Sequence, residues 1–593
     1  MSGLCGGGCI RNIDINEMIN ELQTTPNVER KDIFTDELVS ISQVSLKANL
    51  FKSYNKNDIV IFVEGYCYNI EELNLLFKTK YETFQEFIYW AYNKNCLKDF
   101  FNKVDGYFHA AIYDKIKKKI FLISDRLGTR FLFFYYKDGV FAFSGEVKGI
   151  LAIKEIDREI DKNSFECFVN GGSNFYLLND NTMFKNIKLL NPSTILEYDI
   201  KNNILSQQYY WKFSEIKKTN ISYEDSIDIL HNLIEDAVLK RISKIDLSNA
   251  QLPLSGGLDS RLIFAILDKY DKMPAHIFTN GTKDCTDVVF AKRLCKKFGY
   301  KHSLNLPMGY SNYIENGKDY PWETDGMLIY IEQGSYKPIE KYHYSLCGYV
   351  GDMVFGETFK QNSDFLDQRI NATIAKHFYG EYYEFSDYNN DFYNIDKIEP
   401  HLFMNRVRRY TAQMLNYGNN YNEYLLPFID NKIIEFVYSI PDKYRAHNHL
   451  YADLLLKFYP EYYNDIPWNR YNLPIQGRIY KNNKKNINAL MEKIENLNFL
   501  SKKRKNSIKK RININNLIYK RTFHVYDKEL SNDLNIKYIK ENYINSNSIL
   551  KNYVSYSSWK DIEKFVEYKN AWKIALILTA EFYLRSFSKK YLN

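Results

Sequence analysis

The sequence predicts two joined domains: an α+β domain of antiparallel sheets, then an α/β domain with a doubly wound parallel sheet. Three observations predict this. Residues 1–150 carry many short apolar runs joined by tight turns, the pattern of hairpins. From about Ser222 the pattern changes to alternating strand and helix, which implies a parallel sheet. Between those strands and helices stands Leu254-Ser255-Gly256-Gly257-Leu258-Asp259-Ser260-Arg261, which reads as strand end, glycine turn and helix start.

In chain order, Asp58–Val63 is a strand, and residues 84–101 are aromatic-rich with helical spacing. Phe108–Asp114 and Lys119–Ser124 form a hairpin across a lysine-rich turn. Phe131–Tyr136 and Val140–Ser144 form a second, turning at Lys137-Asp138-Gly139. Ile227–Ile242 is an amphipathic helix leading into a strand at Gln251–Leu254. Ala275–Thr279 is the next strand and Asp287–Phe298 the next helix. Trp572–Phe587 is a terminal amphipathic helix that packs into the core. His302 reads as structural.

Composition narrows the function. The chain has 593 residues, 45% hydrophobic, with a formal net charge of +8, too modest to imply nucleic acid. Eight cysteines are scattered without a Cys-x-x-Cys, which suits a reducing cytoplasm. The N-terminus has no basic-then-apolar signal, and Ile574–Leu578 is far shorter than the ~20 residues of a bilayer span. A soluble cytoplasmic protein with no membrane partner is expected.

The glycine turn carries the first chemistry. Backbone N–H groups of Ser255, Gly256 and Gly257, with the Ser260 hydroxyl, can face an anion at a helix N-terminus. Asp259 would repel phosphate unless a cation lay between, so the turn points to ATP with Mg²⁺. The stretch resembles the PP-loop of ATP pyrophosphatases, which split ATP into AMP and pyrophosphate.

A second resemblance spans residues 1 to roughly 475. Val104–Asp114, Ser124–Arg130 and Phe141–Lys148 resemble the class II glutamine amidotransferase domain of the asparagine synthetase family. Asn186–Thr194 and Tyr210-Trp211 are similar to its exit. The resemblance implies an N-terminal-nucleophile-type sandwich at 1–211 and a PP-loop synthetase domain at 222–475. A basic helical extension follows at 476–593.

The departures from the family are concentrated in the glutamine pocket. The family's nucleophile is a cysteine at position two; here Ser2 falls there and Cys5 falls on a variable position. A serine hydroxyl is a far weaker nucleophile than a thiol. The family's Asn-Gly pair reads Glu64-Gly65, no arginine occurs between Ser42 and Leu46, and the amine-binding aspartate becomes Phe84. These losses imply a domain without glutaminase activity, kept as scaffold or interface. Exposure of Cys5 by processing after Leu4 is the remaining route to a nucleophile.

Leu346–Glu357 resembles the family's second phosphate segment, Gly-Glu-Gly-x-Asp-Glu-x-Phe-Gly-Gly. The resemblance implies that Cys347 and Gly348 join Leu254, Ser255, Gly256, Gly257, Asp259 and Ser260 around ATP. Asp352 matches the aspartate that holds Mg²⁺ together with the loop aspartate, Asp259. Met353 replaces an acid, and Tyr349 replaces a glutamate. Tyr349 is similar to the tyrosine that helps β-lactam synthetases deprotonate a tethered amine; Glu384 or Glu381 would complete that pair. Tyr424–Asp430 resembles the family's Arg-x-Pro-Phe-Leu-Asp. The pyrophosphate lysine is displaced, with Lys443 and Lys457 as substitutes. Lys481–Arg521 holds thirteen Lys/Arg and two Glu, read as a solvated helical face.

Together these residues predict an AMP-forming amide ligase. A carboxylate attacks the α-phosphorus, and an amine then displaces AMP. With the glutamine pocket altered, the resemblance points to an amine already on the substrate, as in lasso-peptide cyclases. That implies a carboxylate partner, peptide or small molecule, with a precursor peptide and its processing protease, and no nucleic acid. The alternatives are asparagine synthesis from aspartate with glutamine or ammonia, an ATP-binding scaffold pseudoenzyme, and PP-loop chemistry on tRNA. The missing Cys-x-x-Cys counts against the last.

Overall fold

Short β-rich segments do become the first domain. The computed structural model describes residues 3–8, 13–49, 51–170, 177–306, 314, 318–329, 339–356, 403–469, 474–475 and 530–592. One antiparallel sheet has the spatial order Ile187–Leu189, Phe133–Lys137, Val140–Ser144, Gly3–Gly8, Val39–Leu46, Val28–Thr35. The other runs Ile204–Tyr209, Thr194–Asp199, Lys119–Ser124, Gly106–Asp114, Ile59–Cys67, Tyr54–Lys56. Leu4, Ile41 and Phe143 of the first meet Phe62, Ala111 and Leu122 of the second in one buried cluster. Two sheets that bury one face each against the other make a sandwich. Both expected hairpins form, with registers Tyr113↔Ile120 and Tyr136↔Phe141.

The aromatic stretch at 84–101 is two helices, Phe84–Asn93 and Leu97–Lys103. Asn95 between them takes a φ of 53°, which ends the first helix before the second can continue it.

The α/β domain opens where the pattern changed. Ser222 caps the helix Tyr223–Ile242 by accepting from the Asp225 N–H. Five parallel strands lie in the order Ser303–Asn305, His276–Asn280, Ala250–Pro253, Tyr344–Leu346, Glu423–Leu425. The order reverses direction at Ala250–Pro253, whose next strand in sequence lies on one side and Tyr344–Leu346 on the other. In such sheets a ligand binds beyond the C-terminal strand ends at that switch point.

The domains are bound by buried charge as well as by a shared apolar core. Asp105 of the sandwich accepts from Arg241 at 2.8 and 3.0 Å and from Lys240 at 3.0 Å, and Asp430 shares both cations at 2.7 and 2.6 Å.

The described end of the chain, 530–592, is seated on the body. Helix Ala571–Tyr591 packs on Lys162–Asn170 of the sandwich and on Tyr320–Glu323 of the α/β domain. Trp322 stacks on Tyr583 with ring centroids 5.6 Å apart. The expected core packing of this helix holds. The basic stretch Lys481–Arg521 lies outside the described residues, and no described helix is long and apolar enough to cross a membrane.

Candidate functional site

The glycine turn and the second phosphate segment meet at the switch point. Strand Ala250–Pro253 runs into Ser255–Leu258, and helix Asp259–Lys269 begins directly after. Strand Tyr344–Leu346 runs into Cys347–Val350 beside it. Gly351 is pressed against the loop acid: a Cβ there would stand 2.4 Å from Asp259 Cγ, so only glycine allows the approach. A cavity of about 460 Å³ opens over both segments, lined by Ser255, Gly257, Asp259, Ser260, Cys347 and Gly348 among others. That volume is in the range of small-molecule sites.

Two of the expected ATP contacts are not on the cavity wall. Leu254 is buried as the strand's end, its N–H donating to Phe278 O at 2.7 Å. The Gly256 N–H donates to Asp287 Oδ1 at 2.9 Å, behind the loop. The remaining loop donors are pre-engaged within the turn. The Ser255 N–H donates to Ser260 Oγ at 3.0 Å, and the Gly257 N–H to Ser255 Oγ at 3.1 Å. Asp287 thus stands as an internal anion that braces the loop. Sequence reading missed it, though an acid in the first turn of the next parallel crossover helix was the available signal.

Asp259 and Asp352 both line the cavity. Burial first, then the charge of Asp352, push the Asp259 carboxyl up to about 8; the Tyr451 hydroxyl, donating at 3.0 Å, opposes this. Two acids that repel on one cavity wall fit a hard cation. Among the described residues no group of three or more His, Cys, Asp or Glu gathers, so phosphate oxygens would have to complete the coordination. Arg406 Nη1 approaches Asp352 at 4.0 Å.

Val350 sits where the resembled segment carries its second glycine. It adopts φ 65°, a left-handed conformation that a β-branched residue takes only under strain.

Tyr349 lines the cavity but is only 5% exposed, and its hydroxyl donates to Val407 O at 3.4 Å. Burial holds its pKa well above the usual tyrosine value. Glu384 and Glu381 lie outside the described residues. Lys443 does not belong to the cavity wall: it is exposed in the surface helix Asp442–Arg445, its ammonium 5.7 Å from the Tyr444 ring centroid. Lys457 is also exposed and pairs with Asp228. Lys457 faces solvent because its helix turns Leu450, Leu454 and Leu455 toward the core, and the short helix of Lys443 buries Arg445 instead.

The described residues that the family resemblance would assign to a glutamine pocket are packed or paired. Ser2 lies outside the described residues. Cys5 is wholly buried in strand Gly3–Gly8, paired with Ser42 on one side and Ser144 on the other, and burial pushes its thiol far above the ordinary range. A nucleophile needs the opposite environment. Phe84 packs edge-on against Phe108 at 4.9 Å and near Phe101 at 6.4 Å. Glu64 accepts from Gln43 at 2.6 Å, Ser45 at 2.9 Å and Arg130 at 2.7 Å. Arg130 also donates to Glu423 at 3.0 Å, and Glu423 belongs to the last strand of the parallel sheet. Gly65 keeps its place because φ is 109° and a Cβ would strike Tyr107 O at 2.1 Å. The sequence signal for this triad was an acid in each of two otherwise apolar strands, which burial on both faces should exclude.

Two family models match this chain. A model for a glutamine amidotransferase domain matches residues 34–211, and one for asparagine synthase matches residues 230–382. A putative asparagine synthetase (glutamine-hydrolyzing) 2 of Methanocaldococcus jannaschii is 32% identical over 38% of this chain and 44% of its own length. The chain therefore spans under half of that relative. Asparagine synthetase (glutamine-hydrolyzing) 3 of Bacillus subtilis is 24% identical over 68% of this chain and 73% of its own. A solved glutamine phosphoribosylpyrophosphate amidotransferase from B. subtilis aligns at 10% identity over 51% of this chain and 90% of its own, with a TM-score of 0.26, too slight a likeness to argue from.

Proposed function

Because this chain belongs to the asparagine synthetase family, we propose that it is an AMP-forming carbon–nitrogen ligase acting on a carboxylate, with aspartate the first candidate. The observation that carries this reading is the meeting of the loop Ser255–Ser260 with Cys347–Asp352 over one cavity at the switch point. A carboxylate oxygen attacks the α-phosphorus of ATP, and pyrophosphate leaves. The amine nitrogen then attacks the acyl carbon; the C–N bond forms, AMP leaves with the bonding pair, and the nitrogen sheds a proton. Ser255, Gly257 and Ser260 supply hydroxyl and backbone donors to phosphate once their internal bonds reorganise. Asp259 and Asp352 would hold Mg²⁺, which when bound offsets the charge of the phosphate oxygens.

The relatives are named for asparagine and glutamine, which favours asparagine synthesis over peptide macrocyclisation. A second reading concerns the amine. The resemblance assigns Glu64 to the glutamine pocket, and its buried pairing with Arg130, shared with Glu423, supports free ammonia or an amine tethered to the substrate. The tethered form includes the lasso-peptide reading, with its precursor peptide and protease.

The test is to incubate the protein with ATP, Mg²⁺ and aspartate, adding ammonium or glutamine. AMP and asparagine should appear with ammonium. Release of glutamate from glutamine would sink the closed-pocket reading. AMP formation with a peptide acid but not with aspartate would transfer the reading to a tethered amine.

A further inference from the structure

The cavity has a far end that the ATP contacts leave unused. A π-helix, Phe403–Thr411, continues into the helix Ala412–Gly418, and Thr411, Met414 and Tyr417 from these segments line the wall. π-helical turns inside helices occur frequently at functional sites. Tyr417 and Tyr421 are half-buried on this wall, their hydroxyl oxygens 3.4 Å apart. The Tyr417 hydroxyl donates to Glu323 Oε2 at 3.4 Å. Burial raises the Glu323 carboxyl above its ordinary value, with Lys148 opposing and Glu146 and Asp319 adding to the rise.

Glu323 is held from behind by the sandwich domain. Lys148 is buried, donates its Nζ to the Glu323 carbonyl at 3.0 Å and pairs with Glu146. Asp325 accepts the N–H groups of Val147 at 2.8 Å and Lys148 at 3.0 Å. A residue whose backbone is fixed by one domain thus sets its carboxylate behind a tyrosine that faces the cavity of the other.

We propose that Tyr417 is the proton acceptor for the attacking amine, with Glu323 taking the tyrosine's own proton in the same step. This rests on the ligase reading above. As the N–C bond forms and AMP departs with the C–O bonding pair, a proton passes from nitrogen to Tyr417 Oη. The Oη proton passes to Glu323 Oε2, which returns it to solvent after release. The hydrogen bonds are long, as such contacts commonly are before substrate binds. Tyr349, whose hydroxyl is spent on Val407 O, then forms part of the floor.

Hydroxylamine separates the two half-reactions, because its weakly basic nitrogen attacks an acyl-adenylate without needing a proton acceptor. With ATP, Mg²⁺ and aspartate, Tyr417→Phe should keep hydroxamate formation within about twofold while losing about a hundredfold in asparagine from ammonium. Glu323→Gln, a second and independent variant, should do the same and remove the acidic limb of the pH profile for asparagine formation. Unchanged asparagine formation in both variants, or equal loss of hydroxamate and asparagine in both, would overturn the inference. No hydroxamate from the parent protein with either aspartate or a peptide acid would overturn the ligase reading, and this inference with it.

Discussion

Glu64, wholly buried, and Asp259, on the cavity wall, are carboxylates each with a second acid close by, and they end differently. Glu64 shares Arg130 with Glu423 at 2.7 and 3.0 Å, and Gln43 and Ser45 satisfy its remaining lone pairs. Asp259 faces Asp352, with the Tyr451 hydroxyl and the Asp352 N–H as its donors. Burial raises both carboxyls, but Arg130 pulls Glu64 back while Asp352 drives Asp259 further. An acid pair with an internal cation becomes a strut between domains. An acid pair on a cavity wall, with Arg406 no nearer than 4.0 Å to Asp352, leaves a place for a cation from solvent.

Removing the loop acid tests this contrast most severely. Asp259→Ala should lower carboxylate-dependent AMP formation by at least about a hundredfold. It should raise the thermal unfolding midpoint measured without Mg²⁺, because it deletes an acid that Asp352 repels. Added Mg²⁺ should stabilise the parent and leave the variant unmoved. A variant that is less stable than the parent without Mg²⁺ would break the contrast.

At the other pair the expectation reverses. Arg130→Met strands two buried acids and should cost about 3–5 kcal/mol in urea unfolding. A loss below about 1 kcal/mol would mean the triad is no strut.

The Glu64 carboxyl, raised by burial to about 7, adds a pH signature. Between its ordinary value of 4.5 and about 7 the folded chain holds a proton that the unfolded chain has lost. Its contribution is therefore full below pH 4.5 and disappears as pH rises through about 7. The slope is at most about 1.4 kcal/mol per pH unit. Glu64→Gln should flatten that part of the stability profile, and an unaltered profile would assign the slope to other groups.

The smallest effect belongs to the strained turn. Val350→Gly should relieve the left-handed conformation and stabilise the fold by about 1 kcal/mol, net of the added freedom of the unfolded chain. Destabilisation would show that the valine side chain contributes more by packing than its backbone costs.

Much of this was legible in the residues, for local reasons. The hairpins, the start of the α/β domain near Ser222 and the strand–turn–helix at Ser255–Ser260 depend on period, turn chemistry and capping within a few residues. The order of crossover elements then places Asp259 and Asp352 on adjacent strand ends. Expectations failed where a side chain's direction mattered. Lys443 was read by its distance from a motif, yet its short helix turns it to solvent. Gly256 was read as a phosphate donor, yet Asp287 from the next helix takes its N–H.

The sequence by itself determined the order of antiparallel and parallel sheets and the strand–turn–helix of the glycine loop, because each resides in contiguous stretches. Only the tertiary structure decided what pairs with Glu64 and what faces the loop across the cavity. Arg130 reaches Glu423 across 293 positions, and Tyr417 reaches Glu323 across 94. Such pairs form where the packing of sheets and helices brings distant carboxylates out of water beside a cation or a hydroxyl. Burial then makes those neighbours decide whether an acid is a strut, a cation ligand or a proton acceptor.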